Sequence, residues 1–143
     1  MRALRKEGWT VFAVARRADR LEALAAETGA VALPADVTDD ADVARLLDEV
    51  TRAGGIDTLI NIAGGARGAD KVAGAKTEDW EWMFQVNVLG SMKLIRAFLP
   101  MLRACGEGTV LNLTSTAGLA AYEGGGGYNA AKFAQHALTG ALR

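Results

Sequence analysis

The chain is poor in the features that would mark it as secreted, membrane-bound or nucleic-acid-binding. Cys105 is its only cysteine in 143 residues. No disulfide can form within the chain, and a reducing cytoplasm is its natural compartment. A lone thiol near a helix end reads as a bystander rather than a nucleophile. No uninterrupted apolar run reaches the ~18–20 residues of a membrane span. The opening "MRALRKEGW" has neither the apolar stretch nor the small-residue cleavage site of a signal peptide. Neither sign of charge dominates: 16 Lys+Arg face 17 Asp+Glu, for a formal net charge of −1. That balance argues against disorder and against non-specific nucleic-acid binding, which calls for a basic surface. Internal repeats are absent, and the only low-complexity patch is the glycine run 124–127. What remains is a half-apolar chain of a length that suits one domain over residues 1–143.

Apolar strands alternate with amphipathic helices. Residues 1–7 read as a helix stopped by Gly8, and "TVFAVA" (10–15) as a buried strand. Asp19 with Glu22 forms a candidate capping box for a helix that turns Leu21, Leu24 and Ala25 inward and ends at Gly29. "AVALPAD" follows as a second strand. Thr38 or Asp39 opens a helix with Val43, Leu46, Leu47 and Val50 at helical spacing, closed by Gly54-Gly55. "IDTLINIAGG" is a third strand running into a glycine-bearing turn. A long helix spans about 78–104, with Pro100 expected to bend it or end its regular part. "GTVLNLTS" is a fourth strand, and a last helix starts near Tyr128. This alternation predicts an α/β fold with a parallel sheet covered on both faces.

In open parallel sheets, ligands bind beyond the carboxyl ends of the strands. The unusual residues stand there: Arg16-Arg17, Asp36-Val37, Asn61 to Gly65, and Thr114-Ser115. A nucleotide-sized ligand along that edge is the economical reading. Within "STAGLAAYEGGGGYNAAK", Ser115 precedes Tyr128 by thirteen positions and Lys132 follows it by four. Positions four apart share a helix face, so the ammonium can follow the phenol into one cleft. A free phenol titrates near 10, and a nearby ammonium stabilises its ionised form. A serine hydroxyl can donate to an oxygen that gains negative charge. Taken one at a time, these residues have plainer readings. Tyr128 and Lys132 could be an exposed helix pair, Ser115 a turn cap, and Asn87 a buried amide bonded to backbone.

Together, "DV" at Asp36-Val37, "NIAG" at Asn61 to Gly64, Asn87, Ser115 and "YNAAK" resemble the short-chain dehydrogenase/reductase family. The correspondence runs in order over essentially the whole chain. It implies a Rossmann-like doubly wound sheet and hydride transfer between a nicotinamide cofactor and a small carbonyl or alcohol substrate. By that resemblance Tyr128 is the acid–base group, Lys132 its activator, Ser115 the partner of the substrate oxygen and Asn87 the anchor of a proton relay. Asp36 and Val37 meet the adenine, while Asn61, Ala63 and Gly64 meet the cofactor backbone-first, alongside Tyr128 and Lys132.

NAD-preferring members carry an acidic residue where this chain has Ala15, followed by Arg16 and Arg17. A guanidinium fork suits a 2′-phosphate, so the expected cofactor is NADP, with Arg16 the stronger candidate. His136 has no partner for metal or nucleophile chemistry, and Trp80 and Trp82 read as helix packing. The resemblance further implies a homo-oligomer, dimer or tetramer, paired through the last two long helices. "TEDWEWMFQVNVLG" and "STAG…YEGGGGY" look most like members acting on hydroxy acids and related polar alcohols.

The family's first strand, its glycine-rich turn and its C-terminal strands do not occur in this sequence, so the domain expected over 1–143 is a partial dinucleotide-binding and catalytic one. Two alternatives follow: an excerpt of a longer enzyme, or a non-catalytic fragment or interaction protein that keeps the residues without the cofactor cradle. A nucleotide sensor without turnover is a third class.

Overall fold

The computed structural model describes residues 1–142. The chain packs as two compact units, Met1–Gly55 and Ile56–Arg143. The first contains α1 (Arg2–Lys6), β1 (Phe12–Ala15), α2 (Ala18–Thr28), β2 (Val31–Pro34) and α3 (Asp40–Arg52). β1 and β2 run parallel, in register from Phe12 opposite Val31 to Ala15 opposite Pro34. Ala13, Leu21 and Ala30 form a buried cluster supported by Val11 and Ala32. On α3 the inward stripe is Val43, Leu46 and Val50. Across its outer face Arg45 reaches Asp42, Glu49 and the Pro34 carbonyl.

Two helix starts show the difference between a cap and a cap-like sequence. Asp39 caps α3, its carboxylate accepting from the Asp42 amide at 2.8 Å. The Asp19–Glu22 box is not made: α2 begins one residue before Asp19, with Arg17 at the cap position and no side-chain cap. Asp19 instead adds negative charge to the first turn, where the helix dipole is positive. Gly29 ends α2 in the left-handed conformation, at φ 70°. There the exposed C-terminal carbonyls meet α1, whose Arg5 donates to the Thr28 carbonyl while Arg2 grips Glu27 with two bonds.

The second unit contains β3 (Thr58–Asn61), a long helix, β4 (Thr109–Asn112) and α6 (Gly126–Gly140). Parallel β3 and β4 pair from Thr58 opposite Thr109 to Asn61 opposite Asn112. The long helix is α4 (Thr77–Phe84) and α5 (Gly90–Ala104), joined by a π turn at Gln85–Leu89. Pro100 does not end it; helix continues to Ala104. Pro100 lies on the exposed side of the helix. α6 starts two residues earlier than expected, drawing Gly126 and Gly127 into its first turn.

The parallel α/β character agrees with the alternation read from sequence. The four strands nevertheless make two separate two-stranded ladders rather than one sheet. In the order the resemblance implies, a strand absent from the sequence stands between β1 and β3. Val14, Val31, Ile60 and Leu111 are exposed on strands that read as buried on both faces.

Replacing Asp39 by Ala should cost about 1 kcal/mol by releasing the α3 cap. An unchanged urea midpoint would show that α3 is held by its apolar stripe alone.

Candidate active site

The expected catalytic residues all lie in the second unit. Asn87 sits in the π turn and is fully buried. Its Nδ2 donates to the carbonyls of Met83 and Gly65, each at 2.8 Å, and its Oδ1 accepts from the Gly65 amide at 3.2 Å. The amide thereby clamps the turn after β3 onto the long helix. The plain reading of Asn87, a buried amide serving backbone, describes what it does in this structure. Gly64 completes the contact: a Cβ there would lie 2.5 Å from Asn87 Oδ1 and 3.7 Å from Lys132 Nζ.

Tyr128 and Lys132 stand one turn apart on α6, and Nζ lies 5.7 Å from the centre of the Tyr128 ring. Tyr128 is half-buried, whereas Lys132 is only 5% exposed. The reading of this lysine as a solvated surface group is thus excluded. Nζ donates to the Leu113 carbonyl at 3.2 Å and to Gln135 Oε1 at 2.8 Å. Burial holds its pKa below the ordinary lysine value, because desolvation penalises the charged form.

Ser115 caps the short 3₁₀ turn Thr116–Gly118, its Oγ accepting from the Ala117 amide at 3.2 Å. That bond uses a lone pair and leaves the hydroxyl proton free to donate. Buried Asn129 fastens the same segment to α6, donating to the Ala117 and Ala120 carbonyls. Nothing in the sequence singled out Asn129; its place beside Tyr128 at the start of α6 is the signal that was available.

A cavity of about 240 Å³ opens beside Tyr128, lined by Trp80, Met83, Tyr122, Arg67, Lys76 and Asp79 among others. The Arg67 guanidinium stacks over the Trp82 ring at 4.1 Å. Trp80 and Trp82 pack around Met83, as read from sequence, but Trp80 also faces the cavity. The glycine run has a local reason. A Cβ at Gly127 would meet Met83 and the Trp80 ring, so the start of α6 can approach α4 only without side chains there.

Of the expected cofactor residues, Asn61 ends β3 and is buried. Its Nδ2 donates to Asn112 Oδ1 at 2.8 Å, and its own Oδ1 has no hydrogen-bond partner. Ala63 and Gly64 follow in the exposed turn. In the first unit, Arg16 and Arg17 follow β1 and are exposed. Asp36 lies after β2, its Oδ1 accepting from the amide and hydroxyl of Thr38, while Arg16 stands 3.8 Å from Oδ2. Those Thr38 bonds, foremost the hydroxyl's, hold the Asp36 carboxyl below the usual carboxylate range, with a smaller contribution from Arg16. Val37 is buried.

The short chain dehydrogenase family profile matches residues 1–143. The chain belongs to the short-chain dehydrogenase family. It is 49% identical over 142 residues to an uncharacterised oxidoreductase of Mycobacterium tuberculosis, covering 99% of this chain and 55% of that protein. It is 37% identical over 130 residues to an NADP-dependent 3-hydroxy acid dehydrogenase of Salmonella typhi, covering 89% of this chain and 52% of that one. Among solved structures, the closed form of a serine dehydrogenase complexed with NADP+ superposes with a TM-score of 0.95 at 34% identity, covering 99% of this chain and 58% of that chain. The short-chain dehydrogenase described here therefore spans about half the length of the curated relatives it matches. Among its described residues, no helix is long and apolar enough to cross a membrane, and no cluster of side chains is suited to a metal.

Replacing Asn87 by Ala leaves the Gly65 and Met83 groups without their partner. The expected cost is about 1–3 kcal/mol, read as a lower urea midpoint. The depressed Asp36 carboxyl contributes stability that is fully present above its unfolded value of about 4 and is lost as pH falls through the folded value. Asp36→Ala should therefore flatten the acid limb of the stability profile while leaving its alkaline limb unchanged.

Proposed function

We propose that this chain carries the central part of an NADP-dependent dehydrogenase acting on a small hydroxy acid or related carbonyl or alcohol. The observation that carries the reading is the buried Lys132 ammonium one helical turn from Tyr128, whose ring lines the cavity. A bound nicotinamide would supply or accept the hydride at the substrate carbon. In the reducing direction, the Tyr128 hydroxyl gives its proton to the carbonyl oxygen as that oxygen gains charge. The phenolate left behind is stabilised by the Lys132 ammonium. Ser115, whose hydroxyl proton is not committed, donates to the same substrate oxygen and orients it. Asn87 acts as proposed anchor by fixing the backbone between the β3 turn and the long helix.

Each unit, taken by itself, holds residues whose chemistry suits part of the cofactor. In the second unit, Asn61 Oδ1 is an acceptor still owed a donor, and Gly64 lies in the exposed turn that follows it. In the first unit, Arg16 and Arg17 offer guanidinium groups to a 2′-phosphate, with Asp36 and Val37 beside them for the adenine. The NADP dependence in the name of the Salmonella protein, and the NADP+ in the serine dehydrogenase complex, support the same choice. Arg67 and Lys76 line the Tyr128 cavity together with Asp70 and Asp79, so the hydroxy-acid reading is supported by the name of the Salmonella relative rather than by the charge of the cavity wall.

NADPH titrated into the chain should quench tryptophan fluorescence with micromolar saturation; no response at millimolar supports the non-catalytic fragment instead. Tyr128→Phe should abolish hydride transfer and spare binding. Turnover that survives this change removes the phenol from the acid–base role. Arg16→Ala should weaken NADPH far more than NADH, and equal losses would refute the phosphate contact.

A further inference from the structure

Behind the proposed active site lies a set of buried polar side chains whose donors all point one way. Lys132 Nζ donates to Gln135 Oε1 at 2.8 Å, Gln135 Nε2 donates to Ser91 Oγ at 3.2 Å, and Ser91 Oγ donates to the Asn87 carbonyl at 3.1 Å. Gln135 and Asn87 are fully buried, and Ser91 and Lys132 nearly so. A fully buried glutamine needs a reason, since its amide loses water on both sides. Here each half of the carboxamide has one partner.

We infer that Gln135 is a positioning residue for the Lys132 ammonium, holding Nζ through a buried chain of donors that ends on the π turn. An ammonium has three protons and freely rotating bonds, so it adopts a fixed direction only when acceptors fix it. The Leu113 carbonyl and Gln135 Oε1 take two protons and leave the third for whatever stands in front of the site. Because Ser91 sits on α5 and its acceptor is the carbonyl of Asn87, α6 and the long helix are tied at the same point. The value of this hold to the reaction rests on the reading of Lys132 as the partner of Tyr128.

The groups facing Nζ are few. On its own helix they are Tyr128 and Gln135, from the end of β4 the Leu113 carbonyl, and from the turn after β3 Gly64, behind which lies the Asn87 amide. No carboxylate or second cation contributes to the lowered lysine value, which burial alone produces. Gln135 is therefore the one side-chain acceptor on the ammonium among the described residues.

The test reads the lysine itself and needs neither cofactor nor turnover. In lysine side-chain NMR of the 143-residue chain, the Lys132 signal is assigned by its loss in Lys132→Met. Gln135→Met keeps the length of the side chain but removes the acceptor. It should lower the ammonium's titration midpoint by about one unit, a tenfold change in proton dissociation. Gln135→Glu restores an acceptor with a charge and should raise the midpoint. Midpoints that coincide with the parent in both variants overturn the inference. Should Gln135→Met fail to fold, Ser91→Ala decides: it loosens Gln135 while keeping the Lys132 bond, and should give a smaller shift in the same direction, with no shift counting against the inference. If turnover persists in Tyr128→Phe while these shifts appear, the reading of the reaction fails and the role of Gln135 stands.

Discussion

The second unit is organised around a positive charge kept out of water. Lys132 is buried, and desolvation lowers its pKa, which means that the folded state bears a cost for carrying the ammonium. The linkage sign follows. Between the lowered folded value and the higher unfolded value the unfolded chain holds more protons, so this group makes the fold more stable as pH rises through that window. Below it, the cost is carried in full and is offset only by the carbonyl of Leu113 and the amide of Gln135. A sequence optimised for stability alone would place an apolar residue here.

Around that charge, space is as tightly specified as hydrogen bonding. The π turn carries Asn87 inward, and the Asn87 amide takes the backbone groups of Gly65 on one side and Met83 on the other. Gly64 lies where a single methyl would strike that amide. Gly118 is a second such point, because a Cβ there would lie 2.6 Å from the Lys132 carbonyl. The turn after β3, the 3₁₀ turn carrying Ser115 and the helix carrying Tyr128 are thus fixed to one another by contacts with no slack.

Much of this was legible in the sequence, and the parts that were not share a cause. Strand and helix alternation, the α3 cap at Asp39 and the Ser115, Tyr128, Lys132 spacing are local patterns, and local patterns survive reading one residue at a time. The failed Asp19–Glu22 box is also local, but there the helix begins one residue earlier than the box requires, whereas the end of the long helix at residue 104 matches its sequence reading. Gln135, Ser91 and Asn129 could not be weighted from sequence, because a polar residue on a helix looks the same whether it faces water or a buried ammonium. Helical spacing put Gln135 on the side of Lys132; only packing showed that side to be closed to solvent. The strands themselves were legible, and their grouping into two ladders was not.

Those ladders have a practical consequence. Each presents two open margins of backbone amides and carbonyls, with aliphatic side chains such as Val14, Ile60 and Leu111 in water. Such margins accept a further strand from any chain that offers one, including another molecule of the same kind. Wherever further chain pairs with these ladders, it does so along those margins.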